Sequence, residues 1–391
     1  MNRIYFDITS EKKTISIVEN NRLVEYYEEK NLSQSKIGNI YRARVDRVLP
    51  SLNAAFVDIG DEKNAYLSFE EIPNTHMILK TNPIKSGDIV LVQVVKDQMG
   101  SKGAKVTMKL TLAGKYIIYS PYKTGIKMSK KLNDNDKQYL REIAEQSFSA
   151  NDGIIFRTNA SNAKKEYILN EYYALKGIYD KILKEVNYLP TPKLIYQASS
   201  VIDKILRDYF KPNENFIIVN DKDFYYSIIN KLDDDNNLKE NIILDLEFSS
   251  RLDTLITHDL RQAMSNKVPL KSGGYIVIDE LEALTAIDVN TGSLVTGRSY
   301  QEIVLKTNIE AAKEIAIQLR LRNIGGIIIV DFIDMISLDD VDILKKTLEE
   351  EFKKDKNNPT LVDITKLNLY EIVREKNVIS LKNRVISKNC P

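Results

Sequence analysis

The chain has 391 residues, of which 43% are hydrophobic and 28% are charged. This composition excludes a disordered tail, a collagen-like rod and a disulfide-dependent mini-protein, and the length predicts several domains. The formal net charge is +1, so a polyanionic partner must be held by local basic patches. The single cysteine, Cys390, cannot form an internal disulfide, and neither a signal peptide nor a membrane-spanning run is present, so we expect a cytoplasmic protein.

The first segment alternates apolar and polar residues from Arg3 to Glu29, which predicts two or three strands. These strands are too few to bury an apolar face by themselves. The segment is therefore either a simple extension or part of a sheet that a later segment completes. The strand predicted within residues 205–263 is the natural candidate to complete it.

Short strands at close spacing follow from Gly38 to about Leu112, which indicates a small β-barrel. Phe56 and Tyr66 fall on neighbouring strands as stacking surfaces for bases. The basic side chains available for phosphates are Arg42, Arg44, Lys102 and Lys105. Aromatic and basic residues in such a mixture suit single-stranded nucleic acid. The alternative is that the two aromatic rings fill the core of the barrel.

Two basic clusters flank the strand predicted at Gly153–Arg157. The first comprises Lys123, Lys127, Lys130 and Lys131, and the second comprises Arg157, Thr158, Lys164 and Lys165. Together they would form an anion pocket if the strand end and the following helix start bring them close. The alternative is that these lysines are solvated surface residues.

A strand–helix–strand unit lies between Gly273 and Asp334. Its strands are predicted at Tyr275–Asp279, Ala283–Asn290 and Ile327–Val330, and its helix begins at a capping box formed by Ser299 and Glu302. If the last two strands are parallel, a right-handed crossover brings Asp288 and Asp331 to the same edge of the sheet, with Asp334 just beyond. Asn290 shares a face of its strand with Asp288.

Two carboxylates and an amide at one edge predict a site for a hard cation, because unscreened carboxylates repel each other. Mg²⁺ takes one or two carboxylates and keeps several waters, which leaves positions for a phosphate oxygen and an attacking water. The alternative is that these aspartates cap ordinary loops. With only His76 and His258 in the chain, a histidine triad or a zinc hydrolase is poorly supported, and no Gly-rich nucleotide loop is present.

The segments EALTAIDVNTG and TNIEAAKEIAIQLRLRNIGGIIIVDFIDM closely resemble the bacterial ribonuclease E/G family, and GNIYRARVDRVLPSLNAAFVDIG resembles its embedded OB-fold domain. The resemblance spans nearly the whole chain, and the absence of a long C-terminal scaffold favours a ribonuclease G-like member. It implies a Mg²⁺-dependent endoribonuclease that cuts single-stranded RNA and leaves 5′-phosphate and 3′-hydroxyl ends. It further implies stimulation by a 5′-monophosphate and a part in rRNA maturation and mRNA decay.

The resemblance also assigns roles to residues. It implies metal binding by Asp288 and Asp331, with Asn290 as the accompanying amide, and RNA stacking on Phe56 and Tyr66. The implied sensor for a 5′-monophosphate comprises Arg157, Thr158 and Gly125. Two alternative functions remain: a non-catalytic protein that binds single-stranded RNA, and a Mg²⁺-dependent DNA nuclease or other phosphodiesterase.

The family architecture implies a mixed α/β (α+β) multidomain fold. The implied domains are an RNase H-like subdomain (1–36 plus 205–263), an OB-fold RNA-binding domain (37–112), a 5′-sensor domain (113–204) and a DNase I-like catalytic domain (264–388). In the family, a CPxC-type motif then shares a zinc ion with a second protomer. Only its first cysteine, Cys390, is present in the remnant 389–391, so we expect a weakened Zn²⁺ link and a weakened homodimer. RNA contacts near Lys366 and Arg374 also depart from the family pattern.

Overall fold

A computed structural model of the chain describes residues 2–10, 12–28, 35–73, 84–98, 102–149, 153–161, 163–186, 188–211, 214–231, 239–292, 300–375 and 380–382. The chain divides into two compact units, residues 31–209 and residues 1–30 together with 210–391. Within the described ranges, none of the helices has the length and apolar character that crossing a membrane requires. The fold is mixed α/β and multidomain, as the sequence predicts.

Seven helices form in the described ranges: α1 (Asp134–Ser147), α2 (Lys165–Glu185), α3 (Val201–Tyr209), α4 (Lys222–Lys231), α5 (Thr254–Met264), α6 (Tyr300–Leu321) and α7 (Leu338–Phe352). The predicted start of α6 at Ser299 lies outside the described residues. The first helix begins at Asn133, whose side chain accepts a hydrogen bond from the amide of Asp136, as expected for an N-cap.

In the unit formed by 1–30 and 210–391, the first sheet has the order β15-β14-β1-β2-β3. Its strands are β1 (Asn2–Ile8), β2 (Lys13–Glu19), β3 (Arg22–Glu28), β14 (Asn215–Val219) and β15 (Ile242–Leu244). β1 pairs in parallel with β14, which pairs in parallel with β15. The later segment therefore completes the amino-terminal sheet, as the sequence predicts, because β1–β3 alone lack a covered apolar face.

The second sheet of this unit has the order β16-β17-β18-β19-β21-β20. Its strands are β16 (Lys267–Pro269), β17 (Tyr275–Glu280), β18 (Leu284–Asn290), β19 (Gly326–Asp331), β20 (Thr360–Ile364) and β21 (Leu369–Arg374). One face packs against α6 and α7 through a buried apolar cluster that includes Ile287, Ile315, Ile328 and Leu344. The residues that alternate with these strand positions lie on the opposite face, which we call the open face.

Ion pairs join the first sheet of this unit to α6. Arg22 on β3 contacts Glu314 at 2.8 Å, and Arg320 contacts Glu19 at 2.7 Å and Glu25 at 3.0 Å. The Arg320 side chain is only 4% exposed. Both guanidinium groups contact carboxylates. These ion pairs therefore hold together, within one compact unit, two segments that the family resemblance assigns to separate domains.

The unit of residues 31–209 contains a closed barrel and a smaller sheet. The barrel strands are β4 (Ile40–Leu49), β5 (Ala54–Asp58), β6 (Ala65–Ser68), β7 (Ile89–Lys96) and β8 (Lys105–Thr107). They follow the order β4-β5-β6-β8-β7, and β7 pairs back onto β4 to close the ring, while β13 (Lys193–Tyr196) adds to β4 outside it. This closed five-stranded barrel fits the OB fold.

The inner and outer faces of the barrel follow the alternation read from the sequence. Tyr41, Ala43 and Val45 are buried, whereas Arg44 and Asp46 are exposed. The smaller sheet has the order β11-β12-β10-β9, with strands β9 (Leu112–Ala113), β10 (Ile117–Tyr119), β11 (Ile126–Met128) and β12 (Ile154–Phe156). It packs against α1 and α2 in one shared apolar cluster.

Candidate functional site

Asp288 lies two residues before the end of β18, and Asp331 ends the neighbouring strand β19 of the second sheet. β18 and β19 run parallel and are joined by α6, and their register places Asp288 directly opposite Asp331. Ile287, Val289 and Val330 point into the apolar cluster beneath α6 and α7. Because side chains alternate along a strand, both carboxylates lie on the open face, where both residues are exposed. The structure thus brings together the two acids that the sequence predicts as neighbours.

Further polar side chains lie next to this pair. The Asn290 Nδ2 donates to Asp288 Oδ2 at 2.7 Å, so the amide fixes the orientation of that carboxylate. Asp334 follows the end of β19, and its Oδ1 accepts a hydrogen bond from Asn368 Nδ2 at 3.1 Å. The predicted amide and the third predicted acid therefore both lie in the surroundings of the carboxylate pair.

The electrostatics of the site favour a bound cation. Although Asp331 is exposed, partial desolvation of its carboxylate by the surrounding protein raises its pKa, and the negative charges of Asp288 and Asp334 raise it further. The contribution of Asp288 and Asp334 to this raised pKa means that the ionised carboxylates repel each other when nothing positive lies between them. A divalent cation would reverse this effect, because it stabilises the ionised form of both acids.

The donor set fits a hard ion with few protein ligands. Asp288 and Asp331 offer carboxylate oxygens, and Mg²⁺ is usually bound through one or two carboxylates while it retains water. Within the described part of the chain, no group of three or more His, Cys, Asp or Glu side chains could hold a metal ion. Zn²⁺ or Ca²⁺ cages built wholly from protein ligands therefore do not fit these residues.

Close backbone contacts fix the carboxyl end of β18, at Asn290. Gly292 has φ of +68°, and a Cβ atom there would lie 2.2 Å from the carbonyl oxygen of Gly273. A side chain at Gly274 would likewise lie 2.5 Å from the carbonyl oxygen of Asn290. The glycines allow the turn before β17 to pack directly against the end of β18, which holds Asn290 in place.

Phe56 and Tyr66 form an aromatic pair on the outer surface of the barrel. They lie opposite each other on β5 and β6, with ring centroids 6.1 Å apart and an interplanar angle of 75°. Both are half-buried, while their strand neighbours Ala55, Val57 and Leu67 are fully buried. The neighbouring residues, rather than the two rings, therefore fill the barrel core, and the rings present a surface for stacking.

Basic side chains extend this pair on both sides. Arg47 lies opposite Phe56 with its guanidinium carbon 5.6 Å from the ring centroid, and Lys105 lies opposite Tyr66. Lys96 in turn lies opposite Lys105. We call the row Arg47–Phe56–Tyr66–Lys105–Lys96 the barrel ladder. Its alternation of charge and aromatic surface suits a single strand of nucleic acid.

Three predicted phosphate contacts of the barrel have different surroundings. Arg42 is half-buried, and its Nη1 donates to Thr191 Oγ1 next to β13. Arg44 is exposed and lies opposite Asp58, outside the ladder. Lys102 is exposed and precedes β8 by a few residues.

Arg157 and Thr158 follow the end of β12. The Arg157 Nη1 donates to the carbonyl oxygen of Gly114 at 2.7 Å and forms an ion pair with Asp208 at 2.8 Å. The Thr158 Oγ1 shares a hydrogen bond of 3.0 Å with Ser129 Oγ. Asp208 was not anticipated from the sequence, and it gives Arg157 an internal anionic partner.

Gly125 lies at the other end of this strand pair. β11 runs parallel to β12, and the Gly125 carbonyl accepts a hydrogen bond from the amide of Ile154 at the start of β12. Ser129, rather than Gly125, is the residue of this segment that reaches Thr158. A shared role of Gly125 with Arg157 and Thr158 stays a prediction.

The remaining predicted residues divide between surface, core and undescribed segments. Lys366 is exposed, but Arg374 is only 3% exposed, and its Nε donates to Asp355 Oδ2 at 2.7 Å. Arg374 is therefore a structural residue of β21. His76 and Cys390 lie outside the described residues.

Known proteins have sequences that are similar to this chain. The model of the ribonuclease E/G family matches residues 111–377. Ribonuclease G of Haemophilus influenzae is 31% identical to this chain over 404 residues, which cover 99% of this chain and 82% of that protein. Ribonuclease G of Escherichia coli K12 is 30% identical to this chain over 403 residues, which cover 98% of this chain and 82% of that protein.

A ribonuclease E is also similar. That protein, from Synechocystis, is 34% identical over 352 residues, which cover 87% of this chain and 52% of the relative. The region that the family model matches includes both Asp288 on β18 and Asp331 on β19. The chain belongs to the ribonuclease E/G family.

Proposed function

We propose that the protein is a Mg²⁺-dependent endoribonuclease that hydrolyses single-stranded RNA. The observation that carries this proposal is the placement of Asp288 opposite Asp331 on the open face, in a chain of the ribonuclease E/G family. Two carboxylates that repel each other at an exposed sheet edge suit a divalent cation and a phosphodiester substrate. A non-catalytic RNA-binding protein would gain nothing from this costly arrangement.

Asp288 and Asp331 would hold the Mg²⁺ ion, and Asn290 would keep Asp288 in the orientation that the ion requires. When bound, the ion supplies positive charge that polarises the scissile phosphate. Hydrolysis forms a bond between a water oxygen and phosphorus and breaks the bond from phosphorus to the 3′ oxygen. That oxygen receives a proton, so the products carry a 5′-phosphate and a 3′-hydroxyl.

The barrel ladder would bind the RNA strand. Phe56 and Tyr66 offer ring faces that any base can stack on, while Arg47 and Lys105 offer positive charge for phosphates. This combination recognises a flexible single strand without reading its sequence. It would exclude stable duplexes, because bases that are already paired and stacked cannot open onto the rings.

A 5′-monophosphate on the RNA would bind at Arg157 and Thr158 and stimulate cleavage. Support comes from the position of both residues at the end of β12 and from the exposed lysines Lys127 and Lys130 on the neighbouring segment. We further propose that residues 1–36 and 205–263 form an RNase H-like subdomain, 113–204 the 5′-sensor domain and 264–388 a DNase I-like catalytic domain. The substrates would be cytoplasmic rRNA precursors and mRNA.

Incubation of the purified chain with end-labelled single-stranded RNA and with DNA of the same sequence tests this proposal. We expect cleavage of RNA in Mg²⁺, none in EDTA, and 5′-phosphate ends on the downstream products. RNA binding without cleavage in Mg²⁺ would instead indicate the non-catalytic alternative. Equal cleavage of the DNA would indicate a general phosphodiesterase.

A further inference from the structure

An aromatic ring lies on the open face beside the carboxylate pair. Tyr275 on β17 is directly opposite Asn290, and Val277 is directly opposite Asp288. Cross-strand partners share a face, so Tyr275 lies on the same face as Asp288, one diagonal position away. Diagonal neighbours of this kind are about 7–8 Å apart, which one nucleotide can span.

An ammonium group covers this ring. The Lys267 Nζ lies 3.6 Å from the centroid of the Tyr275 ring. Lys267 lies on β16, directly opposite Val277 of β17, so it also belongs to the open face. Its side chain is exposed. Throughout the described ranges, no carboxylate forms an ion pair with it, so its charge remains available to an anion.

The backbone that carries Tyr275 is held firmly. The turn before β17 closes with hydrogen bonds from the Leu270 amide to the Gly274 carbonyl and from the Gly273 amide to the Leu270 carbonyl, at 2.8 and 3.0 Å. The Glu310 carboxylate on α6 accepts hydrogen bonds from the amides of Lys271 and Ser272. A ring mounted on such a turn loses little freedom when a ligand binds.

We propose that Tyr275 and Lys267 form a nucleotide subsite next to the candidate metal carboxylates. One base of the RNA stacks on the Tyr275 ring, and Lys267 turns from the ring to the phosphate of that nucleotide. The exchange is favourable because the ammonium gains a full negative charge while the ring gains a base. This inference rests on the proposed function, since it takes RNA as the substrate, and it adds a contact separate from the barrel ladder.

Binding of a fluorescent single-stranded RNA, measured by anisotropy in EDTA, tests the subsite without catalysis. The background is the full chain with Asp331→Asn. We expect Tyr275→Ala to weaken binding by about 5- to 100-fold, because the stacked base is lost. Tyr275→Phe keeps the ring and should bind as the background does. The matched control Tyr226→Ala, at a tyrosine that is 55% exposed on α4, should not change binding.

The lysine is tested by salt dependence. Lys267→Ala should reduce the slope of log affinity against log salt by about 0.7, as expected for the loss of one phosphate contact on a single strand. The control Lys313→Ala, at an exposed lysine of α6, should leave the slope unchanged. The two control variants, Tyr226→Ala and Lys313→Ala, both retain the ion pairs that join α6 to the first sheet.

Two results would separate failure of the subsite from failure of the proposed function. If Phe56→Ala weakens binding and Tyr275→Ala does not, the subsite is wrong and RNA binding stands. If the background chain does not bind RNA at all, the proposed function itself fails. The urea midpoint of the Tyr275→Ala chain should equal that of the background, which shows that weaker binding does not come from unfolding. Loss of binding in Tyr275→Phe as well would overturn the stacking role.

Discussion

Asn290 donates a hydrogen bond of 2.7 Å to the carboxylate of Asp288, two residues earlier on the same strand. Both side chains lie on the open face, and Asp331 lies opposite Asp288 on the next strand. A metal ligand held by a neighbouring amide is fixed in orientation before the ion arrives. The strength of metal binding should therefore depend on Asn290 even if that residue never contacts the ion.

The first prediction concerns this amide. Asn290→Ala should raise the Mg²⁺ concentration for half-maximal cleavage by about 10- to 100-fold, as is typical when a partner of a metal ligand is lost. Saturating Mg²⁺ should recover much of the activity. A titration of cleavage rate against Mg²⁺ measures both quantities, and an unchanged midpoint would remove Asn290 from this role.

The second prediction concerns stability without metal. The pKa of Asp331 is raised, so the folded state binds a proton more readily than the unfolded state does, and stability falls as pH rises above the ordinary value of 3.8. Asp331→Asn removes this unfavourable contribution. In EDTA at pH 7, its urea midpoint should lie above that of the wild type, and the difference should shrink below pH 4. A lower midpoint at pH 7 would contradict the repulsion.

The third prediction concerns the barrel ladder. Phe56→Ala and Tyr66→Ala should each weaken RNA binding by about 1–3 kcal/mol, and Tyr66→Phe should have little effect. Arg47→Ala should lower the salt slope by about 0.7, whereas Lys85→Ala, at an exposed lysine outside the ladder, should not. Filter binding at several salt concentrations measures all of these effects. Equal affinities for the wild type and both alanine variants would exclude the ladder from RNA binding.

Much of this arrangement follows from the sequence by simple rules. The continuous apolar run Ile327–Val330 indicates a buried strand, and a strand–helix–strand unit with parallel strands brings the ends of those strands together. That reasoning is enough to place Asp288 beside Asp331, which the register of β18 and β19 confirms. The alternation of Tyr41, Ala43 and Val45 likewise predicts the inner face of the barrel.

The sequence does not reveal features that depend on irregular backbone or on distant segments. Strict alternation from Val45 would turn Arg47 inward, but a bulge between these residues shifts the register and places Arg47 opposite Phe56. Asp208 reaches Arg157 from a helix that follows much later in the chain. Neither the bulge nor this long-range ion pair leaves a local pattern that periodicity could detect.

The fourth prediction concerns the buried ion pairs of α6. Arg320→Ala should destabilise the chain by about 3–5 kcal/mol, because it leaves Glu19 and Glu25 without their buried partner. Arg261→Ala, at an exposed arginine of α5, should change stability by no more than about 0.5 kcal/mol. Urea unfolding followed by circular dichroism compares the two. Equal midpoints would show that the ion pairs do not stabilise the unit.

The fifth prediction concerns the 5′ end of the RNA. Thr158→Val removes the hydroxyl that bonds Ser129 while it keeps the shape of the side chain, so the fold should persist. We expect this variant to lose most of the preference for 5′-monophosphorylated over 5′-hydroxylated RNA, with cleavage of the hydroxylated substrate unchanged. The ratio of kcat/KM for the two substrates is the measurement. An unaltered ratio would move the sensor away from Thr158.

The most direct test of the account is whether Asp288 and Asp331 share one divalent ion. Mn²⁺ can replace Mg²⁺ in such oxygen-ligand sites, and its electron paramagnetic resonance signal distinguishes bound from free ion. We predict one bound Mn²⁺ per wild-type chain, and loss of that ion in both Asp288→Asn and Asp331→Asn. Retention of the bound ion with unchanged affinity when both carboxylates are replaced would contradict the account.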